Sequence, residues 1–135
     1  MPMLEWNDTL STHVSEVDAQ HKELVAMVNK LYDSMKQGMA MSVLIETIHG
    51  MRKYTEEHFG TEERLMEQHG YPGFPSHKTE HINFIAKVRQ VESDCQAGTA
   101  AVTMDLLNFL CNWLVTHISA IDKKMGEFLT SRGVS

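Results

Sequence analysis

The chain has 135 residues, of which 42% are hydrophobic and 22% are charged, and these values are typical of one soluble globular domain. Twelve basic and eighteen acidic residues give a formal net charge of −6 without any basic run, which argues against nucleic acid or an anionic membrane surface as a partner. No signal-peptide pattern, 18-residue apolar stretch or CxxC motif occurs, and these features predict a cytoplasmic protein that does not span a membrane.

Turn-forming residues divide the chain into an arm and four helical stretches. Residues 1–17 show no helical period and are expected to lie across the bundle as an N-terminal arm, anchored by Trp6. Apolar residues then recur with the three- and four-residue spacing of α-helices, in the stretches of about 18–37, 42–69, 75–97 and 101–130. Because the connections are short and no stretch alternates like a strand, the predicted fold class is all-α: an antiparallel up-and-down four-helix bundle. Residues 1–135 are expected to form this single domain.

Local signals predict where three of these helices begin. Asp18 and Ser42 are expected to cap the first and second helices, because their side-chain oxygens can accept the free N–H groups of a first turn. Pro75 fits the first turn of the third helix, where its missing N–H costs nothing.

Five histidines and two carboxylates occupy matching heights on the predicted helices. They are His21, His58, Glu62, His77, His81, His117 and Asp122. In the first hairpin, 17 and 20 residues separate the histidines from Gly38, and in the second hairpin 17 and 19 residues separate them from Gly98. At about 1.5 Å per residue, each leg climbs roughly 25–30 Å and the next returns about as far. We therefore expect all seven side chains to meet at one level of the bundle.

The composition of this set predicts a pair of metal ions. The HxxxE pair at 58–62 and the HxxxH pair at 77–81 each place two ligands on one helix face. Imidazoles and carboxylates without cysteine suit iron, zinc or copper, and seven ligands are too many for one ion. If both carboxylates bridge two octahedral ions together with one solvent-derived oxygen, all but one position is filled. The open position would suit a small diatomic ligand.

Asp122 fits this set only if its helix is distorted. It follows His117 by five residues, which on a regular α-helix points it about 140° away from that histidine. We therefore predict a π-bulge between the two residues, since such bulges occur at functional sites and would turn Asp122 back towards the others.

Four segments carry these residues: VDAQH at 17–21, HFGTE at 58–62, HKTEH at 77–81 and WLVTHISAID at 113–122. Together they resemble the hemerythrin family, especially its bacterial members, over nearly the whole chain. The resemblance implies two non-haem iron ions per chain, joined by an oxo or hydroxo bridge, with O₂ as the ligand. It also implies that His77, His81 and His117 hold one iron and that His21 and His58 hold the other. Glu62 and Asp122 would bridge the two ions.

Five apolar residues lie within one helical turn of the predicted ligands: Leu24, Phe59, Trp113, Leu114 and Ile118. They are expected to be plain bundle core, or in addition to form a dry O₂ pocket that slows autoxidation. His13, His49 and His69 have no paired ligand, so we expect them outside the site, with His49 facing solvent. An exposed face is likewise expected for four acidic residues of the second helix, Glu56, Glu57, Glu63 and Glu67.

The predicted function is reversible O₂ binding for storage, delivery or sensing, and not catalysis. The alternatives are a di-iron redox enzyme, such as a ferroxidase or peroxidase, and the sensory module of a larger signalling system. Ferritin-like di-iron enzymes use more carboxylates and ExxH pairs, which this set does not contain. Met1 and an end just past the fourth helix fit a self-contained protein, although an excised domain would look the same. A di-zinc hydrolase is disfavoured because no predicted loop is long enough to build a cleft, and the sequence identifies no protein partner.

Overall fold

A computed structural model describes residues 4–98 and 101–135, and within them it contains helices and no strand. The helices are α1 (Ser15–Lys36), α2 (Met41–His69), α3 (Phe74–Gln96), α4 (Met104–Thr116) and α5 (Lys123–Ser131), with a π-helical segment (His117–Asp122) joining the last two. Helix α2 packs against α1 and α3, and α1 also packs against α4. The predicted antiparallel four-helix bundle is therefore confirmed, with α4, the π-helical segment and α5 forming its fourth rod. Among the described residues, no helix has the length and apolarity needed to cross a membrane.

The first turns of α1, α2 and α3 confirm one of the three predicted helix-start signals and contradict the other two. Pro75 lies in the first turn of α3, as expected. The Ser42 prediction is wrong, because α2 begins one residue earlier and Ala40 precedes it without a side-chain cap. Asp18 is not a cap either, since α1 begins at Ser15. Helix α4 has the cap that the sequence reading missed: the Thr103 hydroxyl accepts from the Leu106 N–H at 3.2 Å, after a start three residues later than predicted.

Asp18 instead holds the N-terminal arm against the bundle. Its two carboxylate oxygens accept hydrogen bonds from the Ser11 hydroxyl at 2.5 Å and from the Thr12 N–H and hydroxyl at 2.8 Å each. Further along α1, the Asn29 amide exchanges hydrogen bonds with the backbone of Leu4, at 2.9 and 2.7 Å. Trp6 packs on the main core as the expected anchor. Residues 1–3 of the predicted arm lie outside the described residues.

The apolar core is divided into two clusters. The larger one fills the bundle towards the Gly38 and Gly98 turns and includes Leu31 and Leu107, both fully buried. The smaller cluster lies at the opposite end and comprises Val14, Val17, Met66, Met125 and Leu129. Along each rod, the predicted ligands fall between residues of the two clusters, as His21 does between Val17 and Leu24. A belt of polar side chains therefore crosses the bundle with apolar packing on both sides.

Candidate metal centre

All seven predicted ligands lie in this polar belt and are buried, with exposed fractions of 0–3%. Their nitrogen and oxygen atoms form two overlapping groups in which every ligand atom is within 4.8 Å of the others. One group contains three histidines (His77, His81 and His117), the other contains two (His21 and His58), and Glu62 and Asp122 belong to both. The structure thus meets the expectation that these seven side chains lie at one level of the bundle.

The two carboxylates divide their oxygens between the groups. In Asp122, Oδ1 lies 2.9 Å from His77 Nε2 and 3.0 Å from His117 Nε2, whereas Oδ2 lies 2.9 Å from His21 Nε2. In Glu62, Oε1 lies 3.1 Å from His81 Nε2, whereas Oε2 lies 3.1 Å from His58 Nε2. Each carboxylate therefore presents one oxygen to the three-histidine group and the other to the two-histidine group.

The predicted distortion brings Asp122 into the cluster. The chain forms a π-helical segment over His117–Asp122, where hydrogen bonds span five residues instead of four. A five-residue step is then close to one full turn, so the two residues at its ends face the same way. The prediction of a π-bulge at this position is confirmed.

The electrostatics of the cluster favour a bound cation. Burial acts to lower the pKa of His21 and His77, but Asp122 and Glu62 beside them raise it to about 9 in both cases. Burial acts in the opposite direction on the carboxyl groups, yet the surrounding histidines keep the pKa of Glu62 and of Asp122 well below the usual range. Both carboxylates are therefore ionised in a buried site, which requires positive charge nearby. Protons on the histidines can supply that charge, and a bound metal cation would replace those protons.

The donor atoms also fit metal ions geometrically. Glu62 Oε1, His77 Nε2 and both Asp122 oxygens lie close to one another's groups, yet none of them forms a hydrogen bond of acceptable geometry within the described residues. All four atoms are buried and face the same centre. The Nε2 atoms of His81 and His117 are 3.1 Å apart. Two metal–nitrogen bonds of about 2.1 Å at right angles would separate their nitrogens by about 3.0 Å. A cation on each side of the carboxylates would satisfy these atoms, and the donor set suits iron.

The outward-facing nitrogens of two imidazoles have hydrogen-bond partners that the sequence did not predict, and a third lies near a carboxylate. His58 Nδ1 lies 2.6 Å from Gln20 Oε1, His81 Nδ1 lies 3.1 Å from Glu63 Oε2, and His117 Nδ1 lies 3.7 Å from Glu80 Oε1. The predicted exposure of Glu63 is therefore wrong, since it is half-buried against His81. Gln20 and Glu63 each adjoin a predicted ligand in the sequence, and that adjacency is the signal that could have identified them.

The remaining histidines lie outside the cluster, as expected. His13 is exposed, and His69 is the last residue of α2. His49 is not simply solvated, because its Nδ1 pairs with the buried carboxylate of Glu92. Arg52 bonds the same carboxylate at 2.5 Å and also bonds Glu56 at 3.1 Å. This network connects α2 to α3 away from the candidate metal centre. It includes Glu56, which was expected to be exposed and is instead half-buried.

The apolar neighbours of the cluster divide into ring contacts and cavity walls. Phe59 stacks on the His81 ring at 3.7 Å between centroids, and the half-buried Trp113 stacks on the His117 ring at 4.4 Å. A cavity of about 20 Å³ lies beside Leu24, Trp113 and Leu114. Phe59 and Ile118 are buried but do not line it. Three of the five candidate O₂-pocket residues therefore share a small cavity, while all five adjoin the core.

The fold and this cluster define the class of protein: a four-helix bundle whose interior is built to bind metal through histidine and carboxylate side chains. The chain belongs to the hemerythrin family, because the sequence profile of the Hemerythrin HHE cation binding domain matches residues 12–129. The resemblance inferred from the four motifs is thereby confirmed.

Named relatives and solved structures agree with this placement. The chain is 33% identical to a bacteriohemerythrin of Methylococcus capsulatus over 97% of its own length and 100% of the relative. It is 39% identical to a bacteriohemerythrin of Pseudomonas aeruginosa, over 87% of this chain and 76% of the relative. A crystal structure of wild-type hemerythrin, 33% identical, superposes with a TM-score of 0.90 and covers 95% of this chain and 98% of that one.

Proposed function

We propose that this protein binds O₂ reversibly at a di-iron centre and serves as an oxygen carrier, store or sensor, not as an enzyme. In this proposal, His77, His81 and His117 hold one iron, His21 and His58 hold the other, and Glu62 and Asp122 bridge them. The chain's membership of the hemerythrin family and the named bacteriohemerythrins among its relatives support this assignment.

The observation that carries the proposal is the division of the carboxylate oxygens. Both Glu62 and Asp122 turn one oxygen towards the three-histidine group and one towards the two-histidine group. A mononuclear site needs no such arrangement, whereas two ions held side by side need bridging ligands. The unequal histidine numbers leave the two-histidine ion with fewer protein ligands, so that ion is the one able to accept an exogenous ligand.

Two ferrous ions would supply the electrons and the open coordination position that O₂ binding requires. The residues of this chain supply the surroundings. Five imidazoles, which are neutral once they bind metal, with only two carboxylates favour the ferrous state. They give less electron donation than the carboxylate-rich sites of ferritin-like enzymes. Leu24, Leu114 and the stacked rings of Phe59 and Trp113 surround the cluster with apolar atoms, which excludes the water and protons that would promote loss of the bound ligand.

The test is anaerobic loading with Fe(II), followed by cycles of O₂ and argon while visible absorption is recorded. We expect two irons per chain and a charge-transfer band that appears with O₂ and disappears with argon over repeated cycles. His81→Ala should abolish the band, whereas His13→Ala, which removes an exposed histidine outside the cluster, should leave it unchanged. Irreversible oxidation with turnover of an added reductant would instead support a di-iron enzyme.

A further inference from the structure

The two groups of the metal centre differ in what holds their imidazoles from outside. In the three-histidine group, His81 Nδ1 bonds the carboxylate of Glu63 at 3.1 Å, and a second carboxylate, Glu80, lies 3.7 Å from His117 Nδ1. In the two-histidine group, His58 Nδ1 bonds the neutral amide of Gln20, and His21 Nδ1 has no hydrogen-bond partner among the described residues. His77 Nδ1, like His21 Nδ1, has no hydrogen-bond partner among the described residues. The difference between the groups is therefore that a carboxylate supports His81, whereas a neutral amide supports His58.

The orientation of the Gln20 amide is determined by its second contact. The Thr61 hydroxyl donates to the Glu57 carbonyl at 3.3 Å, so its oxygen is left to accept from Gln20 Nε2 at 3.1 Å. The amide oxygen must then face His58, at 2.6 Å, and because it can only accept, His58 Nδ1 must carry the proton and donate the hydrogen bond. A proton on Nδ1 leaves the Nε2 lone pair free, and Nε2 is the atom that faces Glu62 and the centre. The hydrogen bonds from Thr61 to Gln20 and from His58 to Gln20 thus select the His58 tautomer whose Nε2 can bind a metal.

An amide and a carboxylate do not support a ligand equally. Both fix the ring orientation, but a carboxylate also draws the Nδ1 proton towards itself and increases the basicity of the metal-bound nitrogen. We propose that Gln20 is a positioning residue for His58 and that its neutral amide makes the two-histidine position the weaker metal site. This inference rests on the proposed di-iron function. The ion with the fewer protein ligands would then also be the one less strongly held.

The experiment uses Co(II), titrated anaerobically into the full chain against a competing chelator, to obtain two stepwise dissociation constants. In the wild-type protein we expect two Co(II) per chain with the second bound at least 10-fold more weakly. Gln20→Met should weaken the second constant by about 10- to 100-fold, which is the usual effect of losing an outer partner of a metal ligand. Gln20→Glu should tighten it by about 10-fold, and Glu63→Gln should weaken the first constant instead.

Two controls separate positioning from general effects on charge or folding. Gln68→Glu adds the same charge at an exposed position of α2 and should change neither constant. Thr61→Val frees the amide to turn and should weaken the second constant, whereas Thr61→Ser keeps the hydroxyl and should not. Circular dichroism of the metal-free variants checks that each is folded.

A spectroscopic readout identifies the imidazole involved. In the Co(II)-loaded protein, the Nδ1 protons of bound histidines give strongly shifted, exchangeable NMR signals. Gln20→Met should accelerate exchange of one such signal, and Glu63→Gln should affect a different one. If the Gln20 variants leave both constants within twofold of the wild type, this inference is wrong while the di-iron function stands. Binding of fewer than two Co(II) by the wild type would overturn both.

Discussion

The contact between Gly126 and the N-terminal arm provides a strong test of how the bundle is closed. Gly126 is buried in α5, and a Cβ added to it would lie 2.4 Å from the Thr12 carbonyl oxygen and 2.8 Å from the Thr12 Cβ. Non-bonded heavy atoms normally approach to about 3.5–4.0 Å, so Gly126→Ala requires the arm and α5 to separate by about 1 Å. The neighbour is backbone and is held by two hydrogen bonds to Asp18, so it cannot simply rotate away.

The expected magnitude is the difference between two opposing effects. Alanine in a helix is favoured over glycine by up to about 1 kcal/mol, whereas overpacking a rigid site costs typically 1–3 kcal/mol. Because Thr12 is 98% buried and tethered, we expect a cost near the upper end and a net loss of about 2 kcal/mol in the free energy of unfolding. Gly50→Ala is the matched control: nothing lies within 4 Å of its added Cβ, so it should stabilise α2 by about 0.5–1 kcal/mol.

Urea unfolding of both metal-free variants, followed by circular dichroism with a chelator present, measures these values. Amide hydrogen exchange at Thr12, whose N–H bonds Asp18, should accelerate in Gly126→Ala and stay unchanged in Gly50→Ala. A Gly126→Ala protein as stable as the wild type would refute the packing of the arm against α5.

Three further outcomes follow from the site and its surroundings. Leu114→Ala should enlarge the cavity beside the centre and accelerate autoxidation of the oxygenated protein several-fold. Leu107→Ala, in a core position outside that cavity, should lower the free energy of unfolding by about 2–5 kcal/mol without accelerating autoxidation. Equal autoxidation rates in the two variants would count against a protective pocket. Asp122→Ala should reduce bound iron below two per chain by elemental analysis, and retention of both ions would remove Asp122 from the ligand set. Burial acts to raise the pKa of Asp18, but hydrogen bonds from the arm outweigh it and keep the pKa below its ordinary value of 3.8. The stability that ionised Asp18 gives to the fold is therefore present above about pH 4 and lost as the pH falls. Asp18→Asn should differ from the wild type in urea midpoint at about pH 6 and converge with it near about pH 2.

The long-range features that the sequence predicted are those that depend on periodicity alone. The heights of His21, His58, His81 and His117 follow from counting residues to the turns, because helix rise is nearly constant. The π-helical segment was predictable for the same reason, since a five-residue spacing cannot face one side of a regular helix. These inferences need no knowledge of which side chains occupy the neighbouring helix.

The features that the sequence did not predict depend on contacts between separate segments, either the arm with α1 or one helix with the next. Asp18 looks like a cap by its local position, but its oxygens bond the arm six and seven residues earlier and α1 starts before it. Gln20 precedes His21 yet bonds His58, and Glu63 follows Glu62 yet bonds His81. Adjacent residues on a helix point about 100° apart, so the residue next to an inward-facing predicted ligand points towards the neighbouring helix. Which histidine ring lies at that position, His58 or His81, is shown only by the packed bundle.

The π-helical segment serves both the centre and the packing beyond it. The extra residue rotates everything after His117 relative to α4, so that Asp122, Met125 and Leu129 share one inward face of the fourth rod. Met125 and Leu129 are fully buried in the smaller apolar cluster, and Gly126 on the same stretch receives the arm. A regular helix would turn Asp122 out of the centre and remove this face from the cluster at the same time. The apolar packing of α5 therefore stabilises the distorted backbone, and with it the carboxylate, independently of bound metal.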